Sequence, residues 1–348
     1  MDQDAVLAFL GRFTTDLAAT GAAGQVALGH RLGLYRALAE GAATPDELAD
    51  RTGCHPRYLA EWLRGQAAGG YVEYRRADAT FSLTPEQAFC LADPEGPNLP
   101  AAAVAVLGYL RAEPRLAEAF RTGEGVAWGE HDADVHVGTD AFYRAGYVGA
   151  LVPGWLPALD GVVARLTAGA RVADVGCGLA TSTVLMAQAF PASTFVASDS
   201  HAASVDLARK RVAEAGVADR VGVEVASAQD FGGTGYDLVT MFDCLHDMGD
   251  PVGAARQVLR SLSPDGTWMV VEPVASDDVE ETFTTVGRLY YAGSTFLCVP
   301  NALAQQGGQA LGAQAGPGAV EDVARTAGFT RFRVAARTPF NAVYEIRP

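Results

Sequence analysis

Lysine is almost absent from this chain of 348 residues, in which Lys210 is the only one. The 26 lysines and arginines together are outnumbered by 41 aspartates and glutamates, so the formal net charge is −15 at pH 7. A surface of this charge repels the phosphates of nucleic acids and anionic lipid headgroups. The composition therefore argues against nucleic acids and membranes as partners.

Cysteine is also scarce, and the five cysteines include no Cys-x-x-Cys pair, which is typical of a reducing cytoplasm. His131 and His136 are five positions apart in the chain, so they do not share one helix face, and no later ligand pair supports a metal site there. We expect that segment to be a solvated loop and assign no metal.

Long apolar runs and a basic leader are missing as well. No run of about 18 apolar residues is free of interruptions, and the first residues, Met1 to Asp4, are acidic. We therefore expect a cytoplasmic protein without a signal peptide. A hydrophobic content of 49% with 19% charged residues is typical of globular domains, and the length allows two of them.

The N-terminal part carries the pattern of a winged helix. A helical stripe over residues 4–20 and a second helix over residues 24–40 precede a capped helix start at Thr44 and a further helix start at Cys54. Two short alternating strands, 71–74 and 80–83, follow. We assign residues 1–93 to this winged-helix domain and expect it to form a homodimer, because a small domain cannot bury the apolar stripe of residues 4–20. Residues 94–160 then form a helical linker and cap.

Residues 161–348 show the regular alternation of a doubly wound fold. Helical segments alternate with apolar strands over 171–176, 194–199, 221–226, 236–243 and 267–273, and two final strands over 332–337 and 341–346 suit a hairpin. This order predicts an α/β fold with a Rossmann-like, seven-stranded, mostly parallel sheet whose last strand is antiparallel.

The first strand of that sheet runs into a glycine turn that indicates a nucleoside site. Gly176 and Gly178 let a ligand lie against the backbone, and Asp199 ends the next strand at the usual distance for a ribose acid. The third glycine of a dinucleotide site is replaced by Thr181, and Asp174 would repel a pyrophosphate but attract an ammonium group. S-adenosylmethionine fits these features, because it has an amino acid tail, a ribose and an adenine but no phosphate.

Ligands in such sheets bind beyond the carboxyl ends of the strands, so the residues at those positions are the remaining candidates. Asp230 and Phe231 follow the third strand, where they are placed to meet the adenine amino group and cover its ring. The fourth strand is followed by Asp243, His246 and Asp247, and the fifth ends at Glu272. For Asp243 a purely structural role stays open, as does helix capping for His246.

These motifs resemble class I S-adenosylmethionine-dependent methyltransferases with an N-terminal winged helix, the small-molecule O-methyltransferases of plants and actinobacteria. Residues 172–178 are similar to the family's cofactor loop, Asp199 to its ribose acid and residues 228–231 to its adenine motif. The resemblance implies that His246 is the catalytic base and that Glu272 orients it. Two departures are the methionine at position 248, in place of an aromatic residue, and a second orienting acid for which Glu321 is only a loose match.

A histidine suits this chemistry because a phenol of pKa near 10 is a poor nucleophile at neutral pH, and a neutral imidazole can take its proton during methyl transfer. Either Asp247 or Glu272 could hold one tautomer of the ring. Methylation of carbon or nitrogen by proximity stays open, as do other chemistry with the same cofactor and a ligand-sensing regulator. The regulator is disfavoured because residues 1–93 contain eight arginines against twelve acidic residues.

Aromatic residues supply the candidates for the acceptor pocket. They occur in the predicted cap and in residues 274–316, a segment that interrupts the alternation of strands and helices after the fifth strand. The candidates are Tyr143, Tyr147, Tyr290, Tyr291 and Phe296. Core packing explains the first two equally well, and a dimer interface could explain the others.

Overall fold

The computed structural model describes residues 1–94 and 96–348, which divide into two compact units. One unit comprises residues 1–108 and 133–145, and the other comprises residues 109–132 and 146–348. The predicted division into a winged-helix domain, a linker and cap, and a cofactor-binding domain, with boundaries after residues 93 and 160, stays a proposal.

The winged helix is present in the first unit. Its elements are α1 (Gln3–Arg31), α2 (Leu34–Ala39), α3 (Pro45–Thr52), α4 (Pro56–Ala68), β1 (Glu73–Arg75), β2 (Thr80–Ser82) and α5 (Pro85–Leu91). The two strands pair antiparallel as the wing. The predicted helix start at Thr44 is confirmed, since its side chain accepts a hydrogen bond from the Glu47 backbone N–H and Glu47 bonds back to the Thr44 N–H.

The two helices expected over residues 4–20 and 24–40 were wrong in their boundaries. A single helix of 29 residues, α1, runs through Gly21 and Gly24, and the chain turns only at Gly33, whose φ is +68°. Helices tolerate isolated glycines at a modest cost, whereas the left-handed backbone at Gly33 favours glycine strongly.

An aromatic and leucine-rich core holds this unit together. Tyr35 and Trp62 pack edge to face with ring centroids 5.2 Å apart, and both are buried. The Tyr35 hydroxyl donates a hydrogen bond to Gln66 Oε1 at 2.5 Å, and the Trp62 ring N–H donates to the Gln25 carbonyl at 2.8 Å. These bonds satisfy the polar atoms that the core buries.

Helix α4, which would read DNA in a regulator, presents no basic face. Glu61 lies between Arg57 and Arg64 on its surface and forms ion pairs of 2.6 Å and 3.4 Å with them. The charge on this part of α4 is therefore largely compensated.

The second unit contains the predicted seven-stranded sheet. Its strands are β3 (Arg171–Val175), β4 (Thr194–Asp199), β5 (Val221–Val225), β6 (Tyr236–Phe242), β7 (Leu262–Pro273), β8 (Arg331–Arg337) and β9 (Asn341–Arg347). Their order is β5-β4-β3-β6-β7-β9-β8. The first five strands in this order run parallel to one another, and β9 runs antiparallel to β7 and β8. This confirms the mostly parallel sheet and the final hairpin. Strand β7 begins five residues earlier than expected, with an irregular register near Tyr236.

The remaining helices connect or flank these elements. They are α6 (Leu99–Leu110), α7 (Glu113–Thr122), α8 (Ala133–Ala150), α9 (Val162–Ala168), α10 (Thr181–Ala189), α11 (Ala202–Glu214), α12 (Pro251–Ser261), α13 (Thr285–Gly293), α14 (Val299–Leu303) and α15 (Gly316–Ala327). The solvated loop expected over residues 131–136 is wrong, because His131 is buried and α8 begins at Ala133.

No single helix among the described residues is both long and apolar enough to span a bilayer. One bent pair of helices, covering residues 133–158 and 162–168, passes that test only when the two are counted together.

Candidate active site

The carboxyl ends of β3, β4, β6 and β7 bring most of the predicted residues to one edge of the sheet. Strand β3 lies between β4 and β6, and β6 lies beside β7. Asp199, His246 and Glu272 therefore end up at the same edge as the glycine turn, although up to 96 residues separate Gly176 from Glu272 in the chain. This is the edge at which open α/β sheets bind ligands.

The glycine turn has a backbone that only glycine adopts easily. The φ angles of Gly176 and Gly178 are +73° and +52°, and a Cβ on Gly176 would lie 2.7 Å from Cys244 Sγ. The Gly178 N–H donates a hydrogen bond to Asp199 Oδ2 at 2.9 Å, and Asp199 Oδ1 accepts another from His201 N–H. Asp199 is half-buried, and its carboxylate ties the turn to the end of β4.

Asp174 lies below this turn and is fully buried. Its Oδ2 accepts hydrogen bonds from the hydroxyls of Ser182 and Thr183, and its Oδ1 accepts one from Thr240 at 2.9 Å. Burial raises the pKa of Asp174, while the three hydroxyls oppose that shift. These contacts link β3, α10 and β6, so they support a role in holding the turn rather than in direct contact with an ammonium group.

Asp230 and Phe231 differ in burial although they are adjacent in the chain. Asp230 is exposed and accepts a hydrogen bond from Ser227 Oγ at 3.0 Å, which leaves it accessible to a ligand. Phe231 is 1% exposed and packs against Tyr236 in the main core of the unit. In this structure the ring of Phe231 therefore stabilises the core.

Asp243 adopts a left-handed backbone, with φ of +49°, directly after β6. Its carboxylate accepts hydrogen bonds from the Tyr147 hydroxyl at 3.0 Å and from Asn341 Nδ2 at 2.8 Å. Burial, with the nearby charge of Glu272, raises the pKa of Asp243 to about 8. Asn341 belongs to the last strand, and sequence reasoning did not select it.

His246 lies between two acids at the end of β6. Its Nδ1 bonds to Glu272 Oε2, and its Nε2 lies 3.2 Å from Asp247 Oδ1. Glu272 is itself held by the Leu245 N–H, which donates to Oε1 at 3.0 Å. Burial alone would lower the pKa of His246, but the two carboxylates outweigh it and raise that pKa well above its usual value.

The second orienting acid considered from the sequence, Glu321, forms an ion pair with Arg325 at 2.8 Å on the surface of α15. Met248, the other departure from the family pattern, is buried in the main core. Asp247 and Glu272 are thus the acids that the structure places beside His246.

The aromatic pocket candidates contact different partners. Tyr147 packs on Phe242, and the Tyr290 hydroxyl donates to the Phe340 carbonyl at 2.8 Å. The Tyr291 hydroxyl bonds to Thr282 Oγ1 at 2.9 Å, while Phe296 is half-buried and stacks on a tyrosine. Tyr143 belongs to the other compact unit, where it packs on Phe142.

A small pocket opens beside the catalytic candidates. Its lining includes His246, Glu272 and Tyr344, together with residues 311–313 and 315 of the segment before α15 and the first residue of that helix, Gly316. This segment was only part of a predicted interruption, and no local motif in it signals contact with His246.

The donor set fits S-adenosylmethionine. The half-buried Asp199 carboxylate offers acceptors for ribose hydroxyls, the two left-handed glycines leave the backbone open, and Asp230 is exposed. Basic side chains for binding phosphate are not required, because S-adenosylmethionine has no phosphate group.

Comparisons with known proteins agree with this geometry. Residues 166–315 match the family described as "Methyltransferase domain", and residues 20–93 match the "Rv2258c-like winged HTH domain". A curated relative, O-methyltransferase SfmM3 of Streptomyces lavendulae, is 29% identical over 255 residues, which cover 71% of this chain and 75% of the relative.

Solved structures share the fold over nearly the whole chain. The mitomycin 7-O-methyltransferase MmcR has a TM-score of 0.72 at 20% identity, with full coverage of both chains. Human N-acetylserotonin methyltransferase, solved with S-adenosylmethionine, has a TM-score of 0.72 at 16% identity and 97% coverage of both chains. The chain therefore contains a methyltransferase domain and an N-terminal winged-helix domain, and over nearly its whole length it shares the fold of S-adenosylmethionine-dependent O-methyltransferases.

Proposed function

We propose that this enzyme methylates a hydroxyl group of a small natural product, aromatic or polyketide-like, with His246 as general base. The observation that carries the proposal is the buried His246, whose Nδ1 is held by Glu272 at the edge of the sheet beside the glycine turn. The relatives' names support the acceptor class: one is a mitomycin 7-O-methyltransferase, and another, NcsB1, belongs to neocarzinostatin biosynthesis.

For the cofactor, we propose that Gly176 and Gly178 accommodate its amino acid tail and that Asp199 binds the ribose hydroxyls. Asp230 would meet the adenine amino group, Asp174 would hold the turn from below, and Asp243 would shape the site from the end of β6. S-adenosylmethionine supplies an electrophilic methyl group on a sulfonium and leaves as the neutral thioether.

The contacts of His246 support Nε2 as the atom that accepts the proton of the acceptor hydroxyl. Because Nδ1 faces Glu272, its proton stays on that side, and the lone pair of Nε2 is the one available to an acceptor hydroxyl. As the acceptor oxygen bonds to the methyl carbon, its proton moves to Nε2. Asp247, 3.2 Å from Nε2, then stabilises the imidazolium that forms.

Replacement of His246 by alanine tests the proposal. Turnover of a phenolic acceptor should fall by about 10²–10⁴, because the proton then has no positioned acceptor, while affinity for the cofactor stays nearly unchanged. Radiolabelled methyl transfer gives the rate, and calorimetry gives the affinity. His55→Ala, in the winged helix, is the matched control and should leave both unchanged.

A series of acceptors of decreasing pKa sharpens the test, since an already ionised phenol needs no base. The defect of His246→Ala should shrink along that series. A variant that stays within a few-fold of wild type for every acceptor would overturn the base assignment, and it would favour methylation of carbon or nitrogen by proximity, which can supply about 7–11 kcal/mol.

A further inference from the structure

The proposed base, His246, lies close to two other side chains that can bind a metal ion. The three groups are the imidazole of His246, the carboxylate of Asp247 and the thiol of Cys298, whose ligand atoms all lie within 4.8 Å of one another. Cys298 comes from the segment Ser294–Cys298 between α13 and α14, which brings its thiol beside the other two side chains. His246 and Cys298 are buried, while Asp247 keeps partial exposure.

Their arrangement is close to the requirement of a tetrahedral zinc site. With bonds of about 2.0–2.3 Å to nitrogen, oxygen and sulfur, tetrahedral geometry separates ligand atoms by about 3.3–3.8 Å. The imidazole Nε2 and the carboxylate Oδ1 are already 3.2 Å apart. Closing the cluster around a cation therefore requires only a small movement of side chains.

The surroundings also resemble the outer contacts of metal sites. Metal-bound histidines usually bond through their other ring nitrogen to a carboxylate, which orients the ring and increases its basicity. Glu272 makes this bond to Nδ1 of His246, and so leaves Nε2 as the ligand atom. A nitrogen, an oxygen and a sulfur ligand together favour zinc and similar cations over Mg²⁺, which prefers oxygen alone.

We propose that His246, Asp247 and Cys298 form a binding site for a zinc-class divalent cation, with a fourth position left for water. An occupied site holds Nε2, so that it cannot accept the acceptor's proton, and methyl transfer stops. This inhibitory consequence rests on the proposed role of His246 as base, whereas binding of the cation does not.

Titration of the full-length, chelator-treated protein with Zn²⁺ in a calorimeter tests the site directly. We expect one Zn²⁺ per chain, no binding of Mg²⁺, and a loss of Zn²⁺ affinity of at least ten-fold in Cys298→Ser. Cys54→Ser, a half-buried cysteine of the winged-helix unit, is the matched control and should bind as wild type does. Substitution with Co²⁺ should produce a sulfur-to-metal charge-transfer band in the near ultraviolet that Cys298→Ser abolishes.

Asp247→Asn gives a second, nearly isosteric variant, which should also weaken Zn²⁺ binding. Sub-stoichiometric binding, or binding that both variants leave unchanged, would overturn the site. The methyl transfer assay separates the two proposals. Inhibition by one equivalent of Zn²⁺ supports both, while stoichiometric Zn²⁺ binding without inhibition retains the metal site and contradicts the role of His246.

Discussion

At the scale of single residues, the charge balance around His246 decides how the enzyme responds to pH. A general base works only when it is neutral, and the adjacent carboxylates favour its protonated form. The acidic limb of the rate profile should therefore have its midpoint above 6.5, the ordinary imidazole value. Turnover measured between pH 5.5 and 9.5 with a saturating neutral acceptor checks this.

Glu272→Gln is the companion variant, because it removes one of the two charges while keeping a hydrogen-bond acceptor for Nδ1. The limb should then move to lower pH, toward the ordinary imidazole value. A limb at or below pH 6.5 in the wild type, or one that this substitution does not move, would contradict the ion pair as the cause.

The carboxylate of Asp199 carries the proposed contact with ribose. Asp199→Ala should weaken cofactor binding by about 1.5–3 kcal/mol, as expected for hydrogen bonds to a charged group. Calorimetry measures the change, and Asp206→Ala, an exposed acid on α11 that pairs with Arg209, serves as the control. Unchanged affinity in a folded Asp199 variant would remove the assignment.

A residue can be selected from the sequence where a general rule about strand ends gives its position. A contact between elements that are distant in the chain leaves no such local pattern. The rule that ligands bind at the carboxyl ends of strands selects His246 and Glu272 from the sequence alone. Cys298 and Asn341 reach the site from other parts of the chain, and no local pattern signals that. The burial of Asp174 under three hydroxyls depends in part on Thr240, which is 66 residues away.

At the scale of elements, buried strands are predictable because both faces of a parallel sheet are covered and the strands become short apolar runs. Strand β4 has the predicted boundaries, and β3 and β6 each end one residue early. The long helix α1 was predicted as two helical segments, 4–20 and 24–40, with Gly21 and Gly24 at the interruption. Nothing in their local sequence indicates that the helix continues.

Gly21 should therefore tolerate a better helix former. It lies inside α1 with ordinary helical geometry, and an added Cβ would meet no atom within 4 Å. Gly21→Ala should raise the free energy of unfolding by about 0.5–1 kcal/mol, measured by urea denaturation. The matched variant Gly33→Ala should be destabilising, since φ there is +68°. A loss of stability in Gly21→Ala would contradict the continuous helix.

At the scale of the whole molecule, the length of the chain anticipates its division into two compact units. The sequence does not show what packs against the apolar side chains of α1. Leu7, Phe9, Phe13 and Leu17 are each more than half exposed. Exposed apolar surface of this extent on one helix is typical of a contact between proteins.

We propose that this stripe is the interface of a homodimer, in which two copies of α1 cover one another. The double variant Leu7→Asp with Phe13→Asp should sediment as a monomer in analytical ultracentrifugation at concentrations where the wild type is a dimer, because an interface between identical copies carries each added charge twice. Phe283→Asp is the control, since that ring is 71% exposed on the other unit and should leave the dimer intact. A wild-type protein that sediments as a monomer, or a double variant that remains dimeric, would refute the interface.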